Sequence, residues 1–253
     1  MKSADAKFRI TSSDTEADID QENLGGTYIT STEIVNAPES STAVSTPTYD
    51  GSSIVTFAEH DRRYIGIQFE GAGDQSGGTG NQFNASTSLS VGCIMIGEYY
   101  DMPHSPDLSL KRSIIYDGVS VQESIGGQRY SNMKNFGRNV SSTSKSPFAT
   151  TTANVQVLGG RQRYELGFSY LDATDVFPNE YDTYNPTDDS FIEDVWNRTN
   201  GNHLPFIFSI DNTSSGTDAE SEHLFARFTN NSLNMDQVAP NVYNLKLTIE
   251  EEF

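Results

Sequence analysis

The side chains best suited to proton transfer or metal binding near neutral pH are histidines, and this chain has four: His60, His104, His203 and His223. No pair stands at a metal-ligand spacing such as His-x-x-x-His, and none neighbours Cys93. The local sequence therefore supplies neither a zinc site nor a thiol–imidazole couple. Carboxylates are more numerous. Asp172-Ala173-Thr174-Asp175 and Asp188-Asp189 each have the look of an acid–base pair. With 35 acidic residues such pairs arise from composition alone, and nothing separates a proton donor from a base. Asp188-Asp189 also has a plainer role, because negative charge favours a helix N-terminus. Asp14, Glu16, Asp18, Asp20 and Glu22 lie on one side of an extended chain, yet they lack the glycine and closing glutamate of an EF-hand loop. The glycine-rich residues 71–80 lack the Lys-Ser/Thr of a phosphate-binding loop and are read as a surface loop. No Gly-x-Ser-x-Gly elbow or kinase signature occurs. The expectation is a protein that is not an enzyme, with no catalytic residues, no metal and no cofactor.

Residues suited to contact are easier to find. Tyr99, Tyr100 and His104 fall in the stretch YYDMPHSPD, where Pro103 and Pro106 bracket the histidine and hold the backbone extended. Tyr99 and Tyr100, and later Tyr181 and Tyr184, resemble the stacking residues of sugar-binding loops; tyrosine in β-rich loops is equally packing and interface material. Tyr99, Tyr100 and His104 are the candidate contacts to a partner or a glycan.

These residues must be held by a chain of 253 residues with 35 acidic and 16 basic side chains, a formal charge of −19 and a pI near 4.4. Such a charge argues against a nucleic-acid groove or an anionic membrane as partner. Aromatic residues at 11% argue against global disorder, and the length can bury a sizeable core. Cys93 cannot form an intrachain disulfide, and its setting, Val91-Gly92-Cys93-Ile94-Met95-Ile96, reads as a strand in a sandwich core. The polar start Met1-Lys2-Ser3-Ala4-Asp5 does not read as a secretory signal, so synthesis in a cytosol is expected. The Asn-x-Ser/Thr triplets at Asn84, Asn139, Asn197, Asn212 and Asn230 carry little weight in that setting.

The elements read as strands. Residues 1–21 are polar and predict an arm or a weak edge strand that orders against a neighbour. Residues 22–145 form a β-sandwich half, with turns at Asp117-Gly118 and Gly126-Gly127. A low-complexity break, SSTSKSPFATTT, separates it from a C-terminal β-rich half at 153–253, and one continuous domain is the alternative. In that half Tyr164, Leu166, Phe168 and Tyr170 alternate with polar residues, as do Phe206, Phe208 and Ile210, and Tyr243, Leu245, Leu247 and Ile249. One helix is predicted near 190–199, from the capping-box spacing Ser190-Phe191-Ile192-Glu193 to Thr199-Asn200-Gly201. The fold class is all-β, mainly an antiparallel sandwich of jelly-roll type, with that one short helix.

The order of the C-terminal segments supports a resemblance. Gly159-Gly160-Arg161 opens a strand through Leu171 to Val176-Phe177-Pro178; a helix follows, then Leu204-Pro205-Phe206-Ile207-Phe208, Phe225-Ala226-Arg227-Phe228 and Tyr243-Asn244-Leu245-Lys246-Leu247-Thr248-Ile249-Glu250. Over residues 159–253 this resembles the small β-rich tail proteins of tailed bacteriophages, including distal tail and baseplate components. The resemblance implies a structural virion subunit, most simply a ring-forming tail or tail-tip component assembled in the host cytoplasm. Its implied partners are copies of itself, other virion tail proteins and a host-surface glycan, with no nucleic acid and no membrane. A carbohydrate-binding module and a head-decoration or adaptor subunit are the alternatives.

Overall fold

The computed structural model describes residues 7–19, 27–40, 43–47, 52–58, 61–70, 91–116, 118–133, 139–141, 157–158, 160–181, 189–211 and 222–252. The chain is strand-rich and its sheets are antiparallel, in keeping with the all-β expectation. It divides into two compact units: residues 1–97 with 209–223, and residues 98–208 with 224–253. The division falls after Gly97, not at the break between 145 and 153, and one segment of the second half returns to the first unit. Composition marks where a chain is polar, whereas a unit is defined by which segments pack.

The first unit contains β1 (Lys7–Ser13), α1 (Glu16–Ile19), β2 (Thr27–Tyr28), β3 (Ser31–Val35), β4 (Glu39–Ser40), β5 (Val44–Ser45), β6 (Ile54–Phe57) and β7 (Tyr64–Glu70). β1 is the centre of its sheet. It pairs along its whole length with β7, and on its other edge with β5 at Phe8 and with β2 at Thr11 and Ser12. Phe8 and Ile10 are buried with Ile29 and Ala37, against Val55, Phe57, Ile65, Ile67 and Phe69. This differs from the polar arm expected over residues 1–21. Two apolar residues two apart suffice once both edges of the strand are hydrogen-bonded, a circumstance that local composition does not record. In the described part of the acidic series, Glu16 and Asp18 lie not on extended chain but on the one-turn α1, where Ser13 donates to Asp18 at 2.6 Å; Asp20 and Glu22 lie outside the described residues. Gly66 makes room for that turn, since a Cβ there would sit 2.8 Å from Ile19 Cγ2.

The second unit contains β8 (Lys111–Ile115), β9 (Val119–Glu123), β10 (Arg129–Met133), β11 (Asn139–Ser141), β12 (Val157–Leu158), β13 (Arg161–Asp172), α2 (Ala173–Val176) and α3 (Ile192–Asn197). β14 (Phe206–Ser209), β15 (His223–Phe228), β16 (Met235–Ala239) and β17 (Val242–Glu251) follow. Its main sheet runs β14-β15-β17-β13-β8, with β16 also on β17. β13 covers one edge of β17, while β16 and β15 share the other edge, at its start and its end. Leu245, Leu247 and Ile249 are buried and Tyr243 half-buried, as their alternation predicts. The β16–β17 hairpin turns at Pro240-Asn241; proline fixes φ at the first turn residue, and Asn241, at φ 59°, takes the left-handed conformation that asparagine tolerates.

The predicted helix forms as α3, a π-helix, and past its end the chain turns with Gly201 N–H donating to Trp196 O at 2.8 Å and Leu204 N–H to Thr199 O at 2.9 Å. Ser190 Oγ accepts from Glu193 N–H at 3.4 Å, yet the reciprocal bond to Ser190 N–H comes from Asp194, at 3.1 Å, not from Glu193. Phe191 and Trp196 pack their rings on Phe228 of β15, 6.3 and 5.4 Å between centroids, and this joins α3 to the sheet. α1 and α2 are one-turn helices that the sequence reading did not foresee.

Candidate functional site

The three candidate contact residues lie on one irregular segment, Glu98 to Asp107, which runs against β13, α2 and α3. Glu98 pairs with Arg198 at 2.7 Å. Tyr100 donates its hydroxyl to Asp175 O at 3.3 Å and sets its ring edge-on to Phe191, 6.2 Å between centroids. His104 lies over Phe168 with ring centroids 6.1 Å apart, and its Nδ1 is 2.9 Å from Ser105 O. Asp107 ends the segment: its N–H donates to Gly167 O at 2.8 Å and its carboxylate accepts from Ser169 at 2.7 Å. The segment that holds the two prolines bends at Pro103-His104 and is a strap tied at both ends.

The strap separates the adjacent tyrosines by exposure. Tyr99 is 75% exposed, whereas Tyr100 is half-buried against α2 and α3. Burial pushes the Tyr100 hydroxyl well above its ordinary pKa, and the carboxylates of Asp175, Asp194 and Asp189 push it further in the same direction. Tyr100 is therefore a neutral packing residue, and Tyr99 and His104 are the exposed members available for contact.

The carboxylate pair Asp172/Asp175 is occupied locally. Asp172 accepts from Thr174 N–H at 3.3 Å and Asp175 accepts from Asp172 N–H at 3.2 Å, a capping box that starts α2. Of the other histidines, His203 offers its backbone carbonyl to Arg227, and His60 lies outside the described residues, as do residues 71–80, Tyr184 and Asp188. Among the described residues no group of three His, Cys, Asp or Glu side chains is placed to hold a metal ion, and no helix is long and apolar enough to cross a membrane.

One expectation is reversed outright. Residues 91–100 form no strand, and Cys93 is exposed together with Ile94, Met95 and Ile96, which are 51, 47 and 53% accessible. An apolar run shows that a segment can be buried, not that a partner strand exists to bury it. The sequence reading also missed an exposed aromatic. Tyr170 was placed on the buried face of β13, but a bulge between Phe168 and Leu171 shifts the phase by one residue. Leu171 takes the buried place, and Tyr170 stands 77% exposed at φ 64°. The signal available beforehand was faint: Leu171, a second apolar residue, directly follows Tyr170.

No family model, curated protein or solved structure matches this chain.

Proposed function

We propose that this chain is a structural subunit of a tailed-bacteriophage virion, a ring-forming tail or tail-tip component of distal tail or baseplate type, assembled in the host cytoplasm. In this reading its antiparallel sheets belong to a sandwich of jelly-roll type, and its partners are copies of itself and other tail proteins. One observation carries the proposal: the amount of apolar surface left uncovered. Ile94, Met95, Ile96, Leu108, Ile114, Val121, Ile125 and Tyr130 are all exposed. Within each unit, apolar side chains left bare in this way are what a subunit completed by neighbours would present. The strands that carry the family-like pattern, β13, β14, β15 and β17, build one sheet, which is compatible with that reading.

Sedimentation velocity and negative-stain microscopy of the full chain test it. Closed rings are expected, and antibodies to the chain should label purified particles. A strict monomer absent from particles overturns the proposal.

The exposure of Tyr99 and Tyr170 favours a second reading, a glycan-binding surface that can coexist with the first. On an array of host-surface glycans, binding lost in Tyr99→Ala is the expected outcome, and an array without signal retires it.

A further inference from the structure

We propose that the β13 bulge, on the face of the second unit's main sheet that points away from its core, is a binding site for one uncharged sugar ring. Tyr170 is the stacking platform, and Asn244, Asp107 and Asp236 are set around it to hold the hydroxyls. This inference rests on the glycan-binding reading and assigns the residues and the class of sugar that it would take.

The bulge presents Tyr170 on a strained backbone, with little packing in this chain to offset the strain. Two residues of β13, Ser169 and Tyr170, stand against one of β17, Asn244. Tyr170 is held at φ 64° with its side chain 77% exposed, while Leu171 takes the place in the core. Strained residues of this kind persist where the structure around them over-determines them, and they cluster at sites of ligand contact. The polar groups beside the ring are fixed as well. Asn244 Oδ1 accepts from Tyr170 N–H at 3.0 Å, which orients the amide and leaves its Nδ2 donors without a partner among the described residues. Register puts Asp236 of β16 opposite Asn244, and alternation puts Lys246 on the same face. On the other side of the bulge Asp107 Oδ2 accepts from Ser169 at 2.7 Å. That carboxylate lies against Gly167, where a Cβ would stand 3.3 Å from it, and its Oδ1 accepts no bond among the described residues.

The mixture of donors and acceptors around one ring identifies the occupant. Asp107 and Asp236 disfavour an anion, in a chain already at −19. A cation would suit the carboxylates and the ring face. It has no use for the outward amide donors of Asn244, however, and it meets Lys246, which is exposed on the same face. An uncharged pyranose uses every group. Each of its hydroxyls both donates and accepts, so carboxylate oxygens and amide donors are bonded together, while its C–H face lies on the tyrosine ring. A tyrosine supplies that contact area at little cost in side-chain entropy. All of these groups except Asp107 stand on strands of one sheet, and Asp107 is pinned to that sheet, which holds them in fixed relation.

The full chain is tested on a glycan array that carries uncharged hexose and N-acetylhexosamine glycans beside sialylated, uronate and free amino-sugar glycans. Binding to uncharged glycans is expected, and signal confined to the charged ones overturns the proposal. The strongest-binding uncharged glycan of that array is then titrated against Tyr170→Ala and Asn244→Asp, with circular dichroism as the check on folding. Asn244→Asp keeps an acceptor for the Tyr170 N–H, so the bulge stays, but it replaces the outward donor with an acceptor. Each variant should bind at least about tenfold more weakly than the parent chain. A glycan signal that both variants retain overturns this site and leaves the glycan-binding reading standing. An array without signal overturns both. If Tyr170→Ala weakens self-association and leaves glycan binding intact, the ring belongs to a contact between copies, and the proposal is overturned.

Discussion

Tyr170 donates its backbone N–H to the side-chain Oδ1 of Asn244 at 3.0 Å, and this bond spans the bulge that turns Tyr170 out of the β13–β17 ladder. A bulky residue at φ 64° carries strain of roughly 1–3 kcal/mol. Tyr170→Gly removes that strain at the loss of little packing and is expected to raise stability by about 1 kcal/mol. Asn244→Ala deletes the bond and should lower it by about 1 kcal/mol. Urea unfolding measures both; a destabilised glycine variant would mean that the Tyr170 ring holds the fold.

The two chain ends are expected to behave alike, against what their composition suggests. Deleting residues 242–253 removes β17, which β13, β15 and β16 all require. Leu247→Ala alone should cost about 2–5 kcal/mol. Deleting residues 1–21 removes β1, to which β2, β5 and β7 pair, and should leave the first unit open to limited proteolysis. A truncated chain that resists protease over residues 22–70 would show that β1 is dispensable.

Gly201 is held at φ 67°, and a Cβ there would lie 3.3 Å from Trp196 Cζ2. Gly201→Ala should therefore cost about 1–2 kcal/mol and displace the indole. Trp196 is the only tryptophan, so its emission reports the change directly. Unchanged emission and stability would mean that the turn after α3 adapts freely.

Tyr100 provides an alkaline signature. Its folded pKa lies above its unfolded value near 10, chiefly through burial. The native state thus keeps a proton that the unfolded state releases, and stability falls as pH rises from about 10 toward the folded pKa. Absorbance of tyrosinate should show one residue lagging behind the exposed tyrosines, and Tyr100→Phe should remove that lag. A variant titrating like the parent would place the slow group elsewhere.

Alternation determined much of the second unit directly. Tyr164, Leu166, Phe168, Leu245, Leu247 and Ile249 are buried where period two puts them, because each sits in a strand whose one face meets a core. The helix boundaries near Ser190 and Gly201 were equally legible, since a side-chain cap and a left-handed glycine are local chemistry. The tertiary structure decided what depends on a distant partner. Lys7–Ser13 became a central strand because β7 came back to it, Tyr170 left the core because β13 and β17 differ by one residue in register, and Ile94–Ile96 are exposed with no strand paired to them among the described residues. The candidate site divides in the same way. Sequence chose Tyr99, Tyr100 and His104 by residue type, but only the course of the strap past Asp175 and Phe191 buried Tyr100 and left Tyr99 and His104 outside. A residue's own chemistry is written in its neighbours along the chain, whereas its exposure is set by segments whose pairing depends on the whole fold.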